Sequence, residues 1–218
     1  GGGTLTKTED NPSNVFATMN PLCKGSNITL SNGNCSYLTT DNWESVPSTL
    51  AVSSGKYYTE FKWSPSNTGA QYMMVGVEQP STTSSWINQY PGYTSSGYAY
   101  GWDGDKRHNG DGNNSSYGSA WSVDNVIGIA LDMDNKKLYF HKNGVWQNSS
   151  NPATETNGVS IDANKEWFFT YSDTGGSDGC IAVANFGQDS SFAGTKTAQG
   201  NQDGNDIGDF YYTPPTGF

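Results

Sequence analysis

Residues 121–146 constrain the fold of this chain most, because they read as short β-strands joined by tight turns. A largely apolar run at 126–131 is followed by the turn-forming Asp134-Asn135 pair and then by a second strand-like run at 138–140. The Asn143-Gly144 pair predicts another tight turn, since both residue types tolerate positive φ. We therefore predict an antiparallel β-meander in this part of the chain.

The composition extends this prediction to the whole chain of 218 residues. Charged residues make up only 15% and aromatic residues 13%, and there are 27 glycines. The best helix formers are scarce, so helices are disfavoured, and a high aromatic content with little charge argues against disorder. One folded all-β domain is expected, with two small domains as the less favoured alternative.

Period-2 patterns and turn signals mark further strands on both sides of the meander. The sequence GKYYTEFKW at 55–63 alternates between two sets of side chains, which predicts a half-buried strand. Residues 28–38 predict a hairpin around an Asn-Gly turn, and residues 166–186 predict a second hairpin through a short turn at 173–179. Other predicted strands are 72–78 and 97–102, whereas 41–54, 79–96 and 103–118 are predicted to be connections or loops. Ten or more short strands separated by turns favour an antiparallel sandwich or a jelly roll.

Charge limits the partners that this chain is expected to bind. The formal net charge is -10, from 21 acidic and 11 basic residues, so nucleic acid and anionic membranes are disfavoured. No apolar run approaches the ~18 residues that span a bilayer, and we find no signal-peptide pattern. Because the chain begins with three glycines rather than Met, we expect either that its true N-terminus was removed or that it is part of a longer polypeptide.

Three cysteines occur, Cys23, Cys35 and Cys180. Cys23 and Cys35 flank the first part of the predicted hairpin at 28–38. The sequence leaves open whether these two form a disulfide or whether all three are thiols packed as small apolar groups. No Cys-x-x-Cys pair is present, so a structural zinc site is not expected.

Acidic residues and histidines offer few candidates for catalysis or metal binding. Asp132 and Asp134 have the spacing of two carboxylates on one strand face, but turn chemistry is favoured over glycoside hydrolysis as the explanation of this pair. His141 follows the strand pattern and is expected at the surface. Two loops carry three aspartates each, which raises calcium binding as an alternative to solvated turn acids. They are Asp103, Asp105 and Asp111, and Asp203, Asp206 and Asp209.

The best candidate for recognition is a polar region rich in aromatic residues, which begins in the predicted loop at 79–96. Exposed aromatic rings can stack on sugars or anchor a protein interface, because they bury a large area at a small cost in side-chain entropy. The alternative is that these rings fold back and cover the edge of the sandwich. The candidate ligand-binding residues are Trp86, Tyr90, Tyr93, Tyr98, Trp102 and Asp103.

Five segments between residues 55 and 187 resemble the SPRY domain family in sequence and order. They are GKYYTEFKW, MMVGV, YGWDGDKRHNG, VIGIALDMDNKKLYFHKNGV with a tryptophan shortly before it, and VANFG. The resemblance implies a concanavalin-like antiparallel β-sandwich of two curved sheets, with binding through variable loops at one rim and no catalytic residues. The matched residues are structural in this family: Trp121 and Phe140 in the core, Asn143-Gly144 in a turn, and Asn185-Phe186-Gly187 in the closing strand.

Residues outside this region resemble SPRY-like proteins of tailed bacteriophages. The similar segments are SNVFATMNPL and ITLSNGN before the domain and YYTPPTGF at the end of the chain. The resemblance implies an extension at 1–54 that packs on the sandwich, the sandwich itself at 55–187, and a tail at 188–218 that links to further sequence. The aromatic and proline-rich end of this tail is expected to be exposed.

Together these patterns predict a non-catalytic binding or assembly module. We expect a bacteriophage virion structural protein, such as a capsid decoration, head-fibre or tail-fibre domain, that binds other virion proteins or a host-surface receptor. A lectin-like glycan-binding domain is the alternative, and a polysaccharide-degrading enzyme is the least favoured hypothesis. The expected location is the virion or the extracellular space, and a homo-oligomer is left open. No cofactor, metal ion, nucleic acid or membrane insertion is expected.

Overall fold

The computed structural model describes residues 15–40, 43–64, 72–81, 87–110, 114–173 and 180–218. These residues form short β-strands and a 3-10 helix at Pro152–Thr154. The strands are β1 (Ile28–Ser31), β2 (Ser36–Thr39), β3 (Glu44–Val52), β4 (Lys56–Ser64), β5 (Met74–Glu78), β6 (Gly97–Gly101), β7 (Asp105–Arg107), β8 (Ser115–Ser116), β9 (Val126–Asp132), β10 (Lys137–Lys142), β11 (Val145–Trp146), β12 (Val159–Ser160), β13 (Trp167–Asp173) and β14 (Cys180–Asn185).

The strands form two antiparallel sheets. Sheet one has eight strands in the order β1-β2-β14-β4-β9-β10-β11, with β12 paired to β10, and sheet two has six strands in the order β3-β13-β5-β6-β7-β8. The core between them is rich in aromatic and aliphatic side chains, which fill the space between two pleated layers well. The predicted all-β antiparallel sandwich is therefore confirmed.

The meander predicted in residues 121–146 is present. Strands β9 and β10 pair in continuous register from Asp132 opposite Lys137 to Ile127 opposite Lys142. The following turn has positive φ at both central positions, 50° at Asn143 and 80° at Gly144. These values are those that this residue pair adopts at little steric cost. Trp121 and Phe140, which the family resemblance assigned to the core, are buried there.

The hairpin predicted in residues 166–186 is wrong, although both of its strands exist. Strand β13 pairs with β3 and β5 in sheet two, whereas β14 pairs with β2 and β4 in sheet one. The chain therefore passes from one sheet to the other between these strands. A short connection favours a hairpin only when both strands belong to one sheet, and the local sequence carries no signal of that choice.

Two segments predicted as connections contain strands. Residues 41–54 were predicted to be a connection, but β3 in this segment is a nine-residue edge strand of sheet two. The predicted loop at 103–118 contains β7 and β8, which extend the opposite edge of the same sheet. Strands of two or three polar residues have no apolar alternation, so a period-2 search does not find them.

Strand β4 is buried on both faces, so the prediction of a half-buried strand is wrong. Phe61 lies in the core between the sheets, whereas Glu60 points to the other side and is also fully buried. Residues 201–218, which we call the C-terminal strap, cover this outer face of sheet one. Phe210 and Phe218 of the strap are only 5% and 8% exposed, so the expected exposure of the chain's last residues is wrong as well.

The cysteines are free thiols, and the Cys23–Cys35 disulfide that the sequence left open is not formed. The Cys35 sulfur accepts a hydrogen bond from Gln188 Nε2 at 3.1 Å, and burial raises its pKa to about 11. Across the described ranges, no helix has the length and apolar character needed to cross a bilayer.

Candidate binding cleft

The aromatic cleft is a concavity of about 320 Å³ on the outer side of sheet two. It forms where the connection between β5 and β6 lies against the residue that precedes β3. Among the described residues, its lining includes Trp43, Asn88, Gln89, Tyr90 and Tyr93. The cleft therefore combines three aromatic rings with two side-chain amides.

The three rings form a connected set with one fixed member and two accessible ones. Tyr90 is only 4% exposed and packs on Met74 and Ala99, on the outer face of sheet two. Its ring centroid lies 5.0 Å from that of Trp43 and 5.3 Å from that of Tyr93. Trp43 is 37% exposed and Tyr93 is 40% exposed. A ligand could cover both outer rings without first having to order them, because Tyr90 already holds them in place.

The backbone holds Trp43 in an unusual conformation, with φ of 50°. Bulky residues rarely adopt this left-handed region, so neighbouring contacts must maintain it. The next residue, Glu44, is buried, and its carboxylate accepts hydrogen bonds from the Asn27 backbone N–H at 2.8 Å and from Ser26 Oγ at 3.2 Å. Tyr37 Oη also donates to the Glu44 carbonyl at 3.1 Å. These bonds fix the start of β3 and with it the direction of the Trp43 ring.

A second buried glutamate holds the opposite wall of the cleft. Glu78, at the end of β5, accepts a hydrogen bond from the Gly92 backbone N–H at 3.1 Å. Burial raises the pKa of Glu78 to about 8, although the bond from Gly92 acts in the opposite direction. There is no space for a side chain at Gly97, where a Cβ would lie 1.8 Å from Glu78 Oε2. Ser45 Oγ donates to the Gln89 carbonyl and ties the same loop to β3.

The structure brings together only part of the candidate set predicted from sequence. Tyr90 and Tyr93 meet in the aromatic cleft, where Tyr90 packs on the outer face of sheet two and not on the edge of the sandwich. Tyr98 faces elsewhere, with its ring stacked on His108 at a centroid distance of 4.0 Å. Trp102 packs on Tyr72. Trp86 lies outside the described residues.

Asp103, the remaining member of the candidate set, forms an ion pair with the buried Arg107. Trp43, Asn88 and Gln89 were absent from the prediction. Trp43 is separated from Tyr90 by more than forty positions, and only the packing of the 79–96 connection across sheet two brings them together. Sequence reasoning therefore had no signal for this pairing.

The Asp132 and Asp134 carboxylates are engaged in turn structure, as predicted. Asp132 Oδ1 accepts the backbone N–H groups of Asp134 at 3.0 Å and of Asn135 at 2.9 Å. Its Oδ2 contacts Lys56 Nζ at 2.9 Å. Burial alone would raise the pKa of Asp132, but the bonds from Lys56 and Asn135 outweigh it and lower the pKa. Asp134 Oδ1 accepts the Gly55 N–H at 2.8 Å, so both carboxylates bind backbone N–H groups in this part of the sheet.

Three of the aspartates considered as calcium ligands, Asp103, Asp105 and Asp203, have other partners. Asp105, like Asp103, lies beside Arg107, and Asp111 is outside the described residues. Asp203 Oδ1 accepts the N–H groups of Asn205 and Ile207 within its own loop, at 2.8 and 3.0 Å. Among the described residues, no three His, Cys, Asp or Glu side chains converge in a metal-binding arrangement.

His141 was expected at the surface but is buried. Its Nδ1 accepts the Gly144 N–H at 3.2 Å, so the neutral ring carries its proton on Nε2. Nε2 lies 2.6 Å from Tyr58 Oη, and Tyr58 in turn donates to Glu60 Oε1 at 2.9 Å. Burial lowers the pKa of His141 to about 3. This chain of donors ends on a carboxylate that helps to hold the C-terminal strap.

Comparisons with known proteins agree with the observed architecture. The SPRY domain family matches residues 56–189. The SPRY domain of human HERC1 is 19% identical, with 76% of this chain and 96% of that chain covered and a TM-score of 0.57. The TRIM65 PSpry domain is 14% identical, with 78% and 91% covered and a TM-score of 0.56.

Stonustoxin is 17% identical, with 78% of this chain but 27% of that chain covered and a TM-score of 0.54. At such low identities these three structures show the fold alone. A search of curated proteins gave no match. Because the family match extends over more than half of its residues, the chain belongs to the SPRY domain family, whose members are generally non-catalytic modules that bind other proteins.

Proposed function

We propose that this chain is a non-catalytic binding and assembly module of a tailed-bacteriophage virion, such as a capsid decoration, head-fibre or tail-fibre domain. In this proposal the aromatic cleft contacts a neighbouring virion protein or a receptor on the host surface. The observation that carries it is the pair of accessible rings, Trp43 and Tyr93, held on either side of the buried Tyr90.

The chemistry of the cleft suits a protein partner. Aromatic rings are common at the centres of interfaces, because each one buries a large area with few rotatable bonds. The amides of Asn88 and Gln89, which line the same cleft, can donate to and accept from the partner's backbone. The fixed position of Tyr90 lowers the entropy lost when a partner binds.

Sequence features support the virion location. The segments SNVFATMNPL, ITLSNGN and YYTPPTGF resemble SPRY-like proteins of tailed bacteriophages. Loops rich in Gly, Asn, Ser and Thr are also typical of virion and extracellular proteins. The net charge of -10 favours solubility and disfavours contact with nucleic acid.

A pull-down from virion proteins and host envelope fractions tests this function. We expect the wild-type chain to retain a partner and the Tyr93→Ala variant to bind it at least about tenfold more weakly, as for a central interface aromatic. Tyr57→Ala is the matched control, because Tyr57 and Tyr93 are each 40% exposed and Tyr57 lies outside the cleft. Absence of any partner in both fractions, or equal losses in the two variants, would contradict the proposal.

A lectin-like function is the second candidate, and the same rings favour it. An exposed ring beside side-chain amides can stack on a sugar while the amides bond its hydroxyl groups. A glycan array with the wild-type chain, Trp43→Ala and Tyr93→Ala decides between the two. Binding that both variants lose would favour the lectin, and silence of the wild-type chain on the array would remove it.

A further inference from the structure

A second concavity, the lateral groove, lies along the open side of the sandwich. It forms where β7 and β8 of sheet two approach β12 and the loop before it, and its volume is about 490 Å³. None of its described lining residues also lines the aromatic cleft. We propose that the lateral groove binds a saccharide that carries a carboxylate, such as a uronic acid. The inference does not depend on the function proposed for the aromatic cleft.

The charge of the groove favours an anion. Lys106 lines it, and no aspartate or glutamate is among the described lining residues. Within the part of the chain that the structure describes, Lys106 has no ion-pair partner. Asp162, which contacts the Tyr98 hydroxyl group, is an acid near this wall. In a chain of net charge -10, such a basic site provides local attraction for a negative group.

One wall of the groove is a rigid pair of rings. His108 stacks on Tyr98 with an interplanar angle of 2°. His108 Nδ1 lies 2.7 Å from the Gly97 carbonyl oxygen, so this nitrogen donates its hydrogen there. In the neutral ring Nε2 then remains as an acceptor for a ligand hydroxyl group, and the stacking holds the ring in a fixed orientation.

The facing wall consists of amides held by their own loop. Asn157 Nδ2 donates to the Ser149 carbonyl at 3.1 Å, and Asn148 Nδ2 donates to the Asn157 carbonyl at 3.4 Å. Both asparagines have positive φ, 56° at Asn148 and 53° at Asn157, and asparagine adopts this region more readily than most residues. Their Oδ1 atoms are acceptors, and the Ser160 hydroxyl lies beside them in the lining.

This lining fits a saccharide better than a peptide. Sugars present many hydroxyl groups and need closely spaced donors and acceptors, whereas a peptide needs apolar pockets for its anchoring side chains. Val159 is the single aliphatic residue among the described lining residues. The remaining positions are mostly hydroxyl, amide, imidazole and ammonium groups.

An NMR titration with two probes tests the proposal: methyl α-D-glucuronoside and methyl α-D-glucoside, which differ only in the carboxylate. We expect the glucuronoside to bind more tightly, with shifts confined to the groove. Lys106→Gln should weaken the binding of the glucuronoside by about tenfold, because one charged hydrogen bond is lost. It should leave the affinity for the glucoside unchanged. Lys196→Gln is the control, because it removes the same charge from a residue that contacts the Tyr211 ring and is not among the described lining residues of the groove.

Several results would overturn the proposal. These are no binding of the glucuronoside, equal binding of both glycosides, equal losses in Lys106→Gln and Lys196→Gln, or acetate binding as tightly as the glucuronoside. Tyr93→Ala separates the two sites of this chain. It should leave glucuronoside binding intact, and loss of binding in this variant would place the sugar in the aromatic cleft instead.

Discussion

Each sheet has a segment of the chain that covers part of its outer face. The two segments differ in the number of hydrogen bonds that hold them to a buried glutamate. On sheet one, Glu60 accepts hydrogen bonds from the backbone N–H groups of Tyr211 and Tyr212, at 2.8 and 2.7 Å. It also accepts one from Asn185 Nδ2 at 3.1 Å, besides that from Tyr58. On sheet two, among the described residues, Glu78 accepts one hydrogen bond from the covering loop, donated by the Gly92 backbone N–H.

This difference shows that a buried glutamate can hold a covering segment either firmly, as on sheet one, or with fewer bonds, as on sheet two. In both places a segment crosses a sheet, and a buried carboxylate accepts hydrogen bonds from its backbone N–H groups. Without the carboxylate these N–H groups would lack acceptors. Burial raises the pKa of both glutamates, and hydrogen bonds to the charged form oppose this rise. Glu60 accepts more of them, so its pKa rises to about 7, whereas that of Glu78 rises to about 8. The tightly held strap closes sheet one, whereas the loop on sheet two leaves two rings accessible.

Glu60→Ala should produce the largest effect. We expect it to lower the free energy of unfolding by about 3–5 kcal/mol, because it leaves buried donors without an acceptor and opens a cavity beneath the strap. Urea denaturation measures this change. Glu166→Ala is the control, since Glu166 is exposed, and should cost no more than about 0.5 kcal/mol. A loss below about 1 kcal/mol in Glu60→Ala would mean that the strap does not depend on this carboxylate.

The dependence of stability on pH should be the next largest effect. The ordinary pKa of both glutamates is 4.5, and burial raises each of them in the folded state. Their contribution to stability is therefore complete below pH 4.5 and is lost as the pH rises through about 7 and 8. Between about pH 6.5 and about pH 9 we expect the free energy of unfolding to fall by about 2 kcal/mol through Glu78 and by about 1 kcal/mol through Glu60.

A series of denaturation curves across this pH range checks the assignment. Glu78→Gln should remove most of the slope, because Gln keeps an acceptor for Gly92 but does not ionise. His141, whose pKa is lowered, acts in the opposite sense below about pH 6.5, so more acid conditions are left out of the comparison. An unchanged slope in Glu78→Gln would assign the dependence to other groups.

Trp43→Asn should produce the smallest change in stability. Asparagine tolerates the left-handed backbone at this position, which relieves strain of about 1 kcal/mol, while the lost ring contact with Tyr90 costs a similar amount. The net change in the free energy of unfolding should be below about 1 kcal/mol, yet partner binding should be lost. Preserved binding in the pull-down would show that Trp43 does not belong to the recognition surface.

Local patterns in the sequence predicted much of the fold correctly. The β9–β10 meander and the Asn143-Gly144 turn follow from residues that are neighbours in the chain, and such signals need no knowledge of distant segments. Tyr90 and Tyr93 became candidates for recognition for a similar reason, as aromatic residues in a polar loop, and their role in binding stays a prediction. Trp43 could not be assigned to them, because its place depends on how that loop crosses sheet two.

The sequence by itself determined that this chain is a β-sandwich with an aromatic core, since alternation and turn residues specify strands and their two faces. Only the tertiary structure decided what covers the second face of each strand. Tyr58, Glu60 and His141 lie on a face that a period-2 pattern marks as outward, yet the strap buries them. Burial depends on contacts between segments far apart in the chain, and a local pattern carries no information about them.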